Sequence, residues 1–79
     1  MDAPAAFEQL RAKLEATFGR GMAMMILASA SNAANVSTIG ISESDFLRLA
    51  EAVARDERVV AMWGVAGAAD AATQWRQLV

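Results

Sequence analysis

Met22-Ala23-Met24-Met25-Ile26-Leu27-Ala28-Ser29-Ala30-Ser31-Asn32-Ala33-Ala34-Asn35 contains no charged residue, and the fold class turns on whether it is helix or strand. Its Ala, Met and Leu content favours helix, with only the β-branched Ile26 against it. A strand over Met22–Leu27 stays open as the alternative on residue pattern alone. As a helix the segment is apolar around most of its circumference in the first two turns, so it needs cover on more than one side. Its most apolar run, Met22 to Ala30, is far short of the roughly 20 residues that cross a bilayer, and no membrane span is expected.

Upstream, Phe7, Leu10, Leu14 and Phe18 are spaced three, four and four, which is one stripe of a helix over Asp2–Phe18. Asp2 is placed to cap it, and Pro4 is tolerated because the leading N–H groups have no intrahelical acceptor. Gly19-Arg20-Gly21 ends the helix in a sharp turn. Downstream of the uncharged stretch, Val36–Ile41 reads as an extended connecting loop. Ser42-Glu43-Ser44-Asp45 then opens a third helix as a capping box, running to about Arg55 behind Phe46, Leu47, Leu49, Ala50 and Val53. Asp56 caps a short helix, Glu57–Trp63, ended by Gly64. After Val65-Ala66-Gly67 a last helix spans Ala68–Leu78, with Ala71, Ala72, Trp75 and Leu78 inward. The expectation is an all-α, compact bundle of four to five short helices in one domain, residues 1–79.

The chain has 79 residues, and 56% of them are hydrophobic, but 19 of these are alanine, so the apolar volume is small. A domain of this size rarely draws more than about 3–5 kcal/mol from its core without help. Cysteine and histidine are both absent, which removes disulfides, thiolate or imidazole metal sites and the commonest general base. A partner chain is the staple left, and the bundle is expected to be completed by one. The formal charge of −2 has the wrong sign for a phosphate-neutralising surface, so a nucleic-acid partner is not expected. Asp2 and Pro4 precede an amphipathic stretch with no signal-peptide pattern, so a cytoplasmic protein is expected.

Catalysis is not expected. Nucleophilic chemistry would fall to a serine beside Lys13, the single lysine, which lies on the polar face of the first helix. The acids Glu43, Asp45, Asp56 and Glu57 sit at helix starts, where the helix dipole favours them by about 0.3–1 kcal/mol each. They match no calcium-loop spacing, and Gly19-Arg20-Gly21 lacks the remaining residues of a nucleotide loop. Neither a metal nor a cofactor is expected.

Two resemblances set the alternatives. Residues 46–65 resemble the helix-turn-helix of bacterial repressors, with Ala50 and Ala54 at its small positions, Val60 at its aliphatic position, and Leu49, Val53 and Trp63 where that unit is apolar. Arg55 stands at a normally buried position, and Arg55-Asp56-Glu57-Arg58 lacks the common turn glycine. The resemblance implies DNA binding with Glu57–Trp63 as recognition helix, where only Arg58 is a suitable reader. Glu43-Ser44 is similar to the modified serine of acyl and peptidyl carrier proteins, which implies a prosthetic arm on Ser44. Asp45 stands where that family has an apolar residue.

Met22, Met24, Met25 and Ile26, with Met62, Trp63 and Trp75, form the remaining signal. An ordinary core is expected to take at least half of them. Methionine and tryptophan are also enriched at protein contacts, so the candidate interface is Met22, Met24, Met25, Leu27, Ala28, Met62, Trp63 and Trp75. The leading expectation is a non-catalytic protein–protein interaction module, a homodimer or a small subunit or adaptor of a larger assembly, binding through its Met-rich helix. A small-molecule pocket lined by the methionines is the further alternative.

Overall fold

Asp2 opens the first helix as expected: its Oδ1 accepts from the Ala5 N–H at 2.8 Å. A computed structural model describes all residues from Met1 to Val79. It contains α1 (Ala3–Phe18), α2 (Arg20–Ala34), α3 (Glu43–Ala54) and α4 (Glu57–Arg76), with no strand. The open question over Met22–Leu27 is therefore resolved as helix. No helix is long and apolar enough to cross a membrane.

Gly19 and Gly64 make the same corner twice. Their φ/ψ values are 82°/164° and 78°/166°, a region essentially confined to glycine. Because Gly19 alone completes the first corner, α2 starts at Arg20, two residues earlier than its apolar pattern suggests. Gly64 interrupts α4, and the helix resumes directly at Val65 rather than at Ala68. Gly67 lies inside that second segment, where an added Cβ would come within 3.2 Å of the Trp63 Cβ. The residues before the two corners meet: the Phe18 and Trp63 rings lie 5.9 Å apart, Trp75 is 6.1 Å beyond Trp63, and the Lys13 ammonium sits 5.2 Å from the Trp63 ring centre. Tilted aromatic pairs at these separations contribute about 0.5–1.5 kcal/mol beyond their burial.

α3 lies against all three other helices, and α1 and α2 pack on each other. Phe46, Leu49, Ala50 and Val53 of α3 are wholly buried, and Leu10 and Leu14, Ile26, and Val59 reach them from α1, α2 and α4. Alanines fill the rest of the helix contacts, Ala3, Ala6, Ala23, Ala30, Ala68 and Ala71 among them, and let the backbones approach. Ile41 closes the core from the loop, while Ile39 projects outward. The radius of gyration, 11.1 Å, matches the roughly 11.6 Å of a compact chain of this length. The large core residues Leu10, Leu14, Ile26, Phe46, Leu49, Val53 and Val59 are each fully buried by the one chain.

The capping box forms by half. The Ser42 hydroxyl accepts from the Asp45 N–H at 3.1 Å, but the Asp45 carboxylate turns to Arg48 at 3.3 Å instead of reaching back. Aspartate is one methylene shorter than the glutamate that normally makes the return bond. Arg48 also donates to the Ala34 carbonyl at the C-terminal end of α2, where positive charge is favoured.

Denaturant melts should show a loss of about 0.5–2 kcal/mol for Ser42→Ala and less than about 0.5 kcal/mol for the exposed Ser44→Ala. Gly64→Ala meets no atom within 4 Å, so its expected cost of about 1–3 kcal/mol is purely conformational. Calorimetry showing an unshifted melting temperature would contradict the corner geometry.

Candidate interaction surface

α2 has two opposite apolar faces. At about 100° per residue, Ala23, Ile26, Leu27 and Ala30 share the inner face and are buried. Gly21, Met25, Ala28 and Asn32, spaced four, three and four, lie on the opposite side and are exposed. Met22 and Ser29 flank this outer seam on one side, Met24 and Ser31 on the other. Among these outer positions there is no charge, and Arg20 is the only ionised side chain of the whole helix.

All five methionines of the chain are exposed. Met24 and Met25 stand 62% and 58% open to solvent, while leucine, isoleucine, valine and phenylalanine supply the large core residues. The expected division, with at least half of the Met and aromatic cluster inside, is thus corrected: Ile26 and Trp75 are buried, Trp63 is half-buried, and Met22, Met24, Met25 and Met62 are outside. Of the expected interface residues, Leu27 at 8% and Trp75 at 3% exposure belong to the core of this chain and have little surface to offer. Ala28 joins the methionines of α2 on the outside, whereas Met62 and Trp63 lie on α4, beside the Gly64 corner.

The Met-lined pocket does not form. The two surface concavities contain no methionine. One, of about 770 Å³, lies between α2 and α3 over Ala30, Ala33, Ala34 and Ala52, edged by Arg48, Arg55 and Arg58. The other, of about 480 Å³, lies between α3 and α4. The first groove is not among the sequence expectations, although Arg48 and Arg55, seven apart on α3 and its C-cap, are at the spacing of one helix face. Its cations are already engaged: Arg48 with Asp45, Arg55 with Glu51 at 2.7 Å, and Arg58 with Asp56.

The Asp56–Arg58 pair is the best-formed of these. Arg58 donates through Nε at 3.0 Å and Nη2 at 2.7 Å, and its backbone N–H donates to the same carboxylate at 2.9 Å. The Arg58 side-chain bond, with backbone donation from Arg58 and Val59, holds the Asp56 carboxyl below its ordinary range against the opposing effect of burial. The single basic reader of Glu57–Trp63 is therefore occupied within its own turn. α3 and the first segment of α4 do pack as a helix pair, but only Arg55 and Asp56 separate them, fewer than the 3–4 residues usual in a helix-turn-helix. Arg55, at that motif's normally buried position, is exposed, and Ser44 is exposed at the start of α3.

No three Asp or Glu side chains gather as a metal site would require. No buried polar side-chain atom lacks a partner, and no polar or charged residue is buried. Comparison with known protein families, curated proteins and solved structures finds no match to this chain.

Because the Asp56 pKa is lowered in the folded state, its contribution to stability is complete above the unfolded carboxyl value, near 4. It is lost as the pH falls through the lower folded value. Acid titration followed by circular dichroism should therefore find Asp56→Asn less stable than the parent at pH 6, with the difference narrowing below about pH 4. An equal difference at pH 6 and pH 2.5 would contradict the ion-pair assignment.

Proposed function

We propose that this chain is a non-catalytic protein–protein interaction module whose docking surface is the outer face of α2. The observation that carries the reading is the uncharged seam Gly21–Met25–Ala28–Asn32, with Met22 and Met24 beside it, on a helix whose other face already serves the core. Exposed apolar residues scattered singly are ordinary, whereas a contiguous apolar strip marks a contact surface. Methionine suits such a strip because its unbranched, polarizable side chain adapts to a partner's shape. Leu27 belongs to the inner face of the same helix, and Trp63 and Trp75 belong to the aromatic column on α4, so the docking strip rests on the exposed residues of α2 alone. Arg58 stays with Asp56, so duplex DNA gains no reader from the α3–α4 pair.

Oxidative footprinting by mass spectrometry tests the reading at native concentration in an extract of the source cells. Met1 is as exposed as Met25, both at 58%, and serves as the internal reference. Met24 and Met25 should oxidise several-fold more slowly than Met1 in the extract. Equal rates would overturn the reading.

A further inference from the structure

Taking the α2 surface as the docking site, we infer that its occupant is a second copy of this chain, seated antiparallel about a two-fold axis that passes between the levels of Met25 and Ala28. Antiparallel heptad seams pair unlike positions, and here that places Met25 over Ala28 of the second copy and Gly21 over its Asn32. The flanking Met22 and Met24 then come down beside Ser29 and Ser31 of that copy. Each large side chain meets a small one. Parallel pairing in register would set Met25 against Met25 and Ala28 against Ala28, leaving alternating collisions and gaps.

The charges favour the same direction. α2 has no acid in its first turn and no base in its last, and Arg20, which makes no ion pair, stands at its own helix's positive end. This is the unfavourable placement for a cation. An antiparallel neighbour moves the negative end of a second α2 next to it, an end that receives only one side-chain donor, Arg48 on the Ala34 carbonyl, and does so twice by symmetry. The outer faces themselves carry no charge to repel.

Polar groups fix the register. Gly19 offers no side chain to cap the N-terminus of α2, so the leading N–H groups there have no side-chain acceptor. Asn32 is the polar residue within the seam, and its side chain bonds to nothing in its own chain. The antiparallel register delivers the Asn32 amide of one copy to the uncapped end of the other, where the bare backbone of Gly21 leaves room. A single polar residue at a seam position is a known means of specifying one register.

Sedimentation equilibrium of the purified chain across the micromolar range should give twice the 8.4 kDa chain mass. Met25→Lys should remain helical at 8.4 kDa, because residue 25 is outside the core. Arg20→Glu separates the two effects of charge: it should raise the dimer dissociation constant by roughly three- to thirty-fold, while leaving the diluted monomer equally or more stable to heat. The absence of native cysteine permits a direct test of direction. Oxidised Met25→Cys and Ala28→Cys should form several-fold more disulfide dimer when mixed than either does alone. Preferential self-linking of each variant would overturn the antiparallel arrangement, and a parent chain that stays at 8.4 kDa throughout would overturn the second copy as occupant. In that case, slow Met24 and Met25 oxidation in cell extract but not in purified protein leaves the surface in place with a different partner. Fast oxidation in both overturns the surface as well.

Discussion

Phe46, Leu49, Ala50 and Val53, one face of α3, lose all contact with water, and the other three helices are arranged around that loss. Burying side chains of this size contributes roughly 1.5–3 kcal/mol for each large residue. The chain has few of them to use, because so much of its apolar content is alanine. α3 therefore takes the centre, α1 and α2 close against each other and against it, and α4 covers the remaining side. Alanine at the facing positions keeps the helices near enough for so few large residues to fill the space between them.

That economy explains what is left outside. The branched aliphatic residues Leu10, Leu14, Ile26, Leu49, Val53 and Val59 have few rotamers and pack into a fixed shape. The methionines, with three flexible bonds each, are left for the surface. α2 has a complete inner face in Ala23, Ile26, Leu27 and Ala30, so Met24 and Met25 add nothing to the core that surrounds it. Their exposure costs hydration free energy that a partner surface would recover.

The charged residues follow a more local logic. Glu8 with Arg11 and Glu51 with Arg55 each pair within one helix, and exposed pairs of this kind contribute only about 0–1 kcal/mol. Asp56 with Arg58 also pairs within one turn, but there the carboxylate is largely covered. Arg48 is different. It joins Asp45 at the start of α3 to the Ala34 carbonyl at the end of α2, and so ties the direction of one helix to the end of another. The aromatic column of Phe18, Trp63 and Trp75 does the corresponding work at the two glycine corners, with Lys13 over the Trp63 ring.

The helices and most of their ends are legible in the residues themselves, because those depend on nearest neighbours along the chain. The Phe7–Phe18 spacing, the Asp2, Ser42 and Asp56 caps and the helix-breaking Gly19 and Gly64 act within a few residues of themselves. The exceptions were conformational: nothing in the letters said that one glycine turns the whole Gly19 corner or that α4 resumes at once after Gly64. Which side of α2 faces inward depends on how the helices pack. Both Ala23–Ile26–Leu27–Ala30 and Gly21–Met25–Ala28–Asn32 are uncharged stripes at helical spacing, and only the placement of α1 and α3 chooses between them. Helix packing likewise buried Leu27 and Trp75 and put Arg48, Arg55 and Arg58 along one groove. Burial depends on residues distant in the chain, whereas periodicity shows only that a face exists.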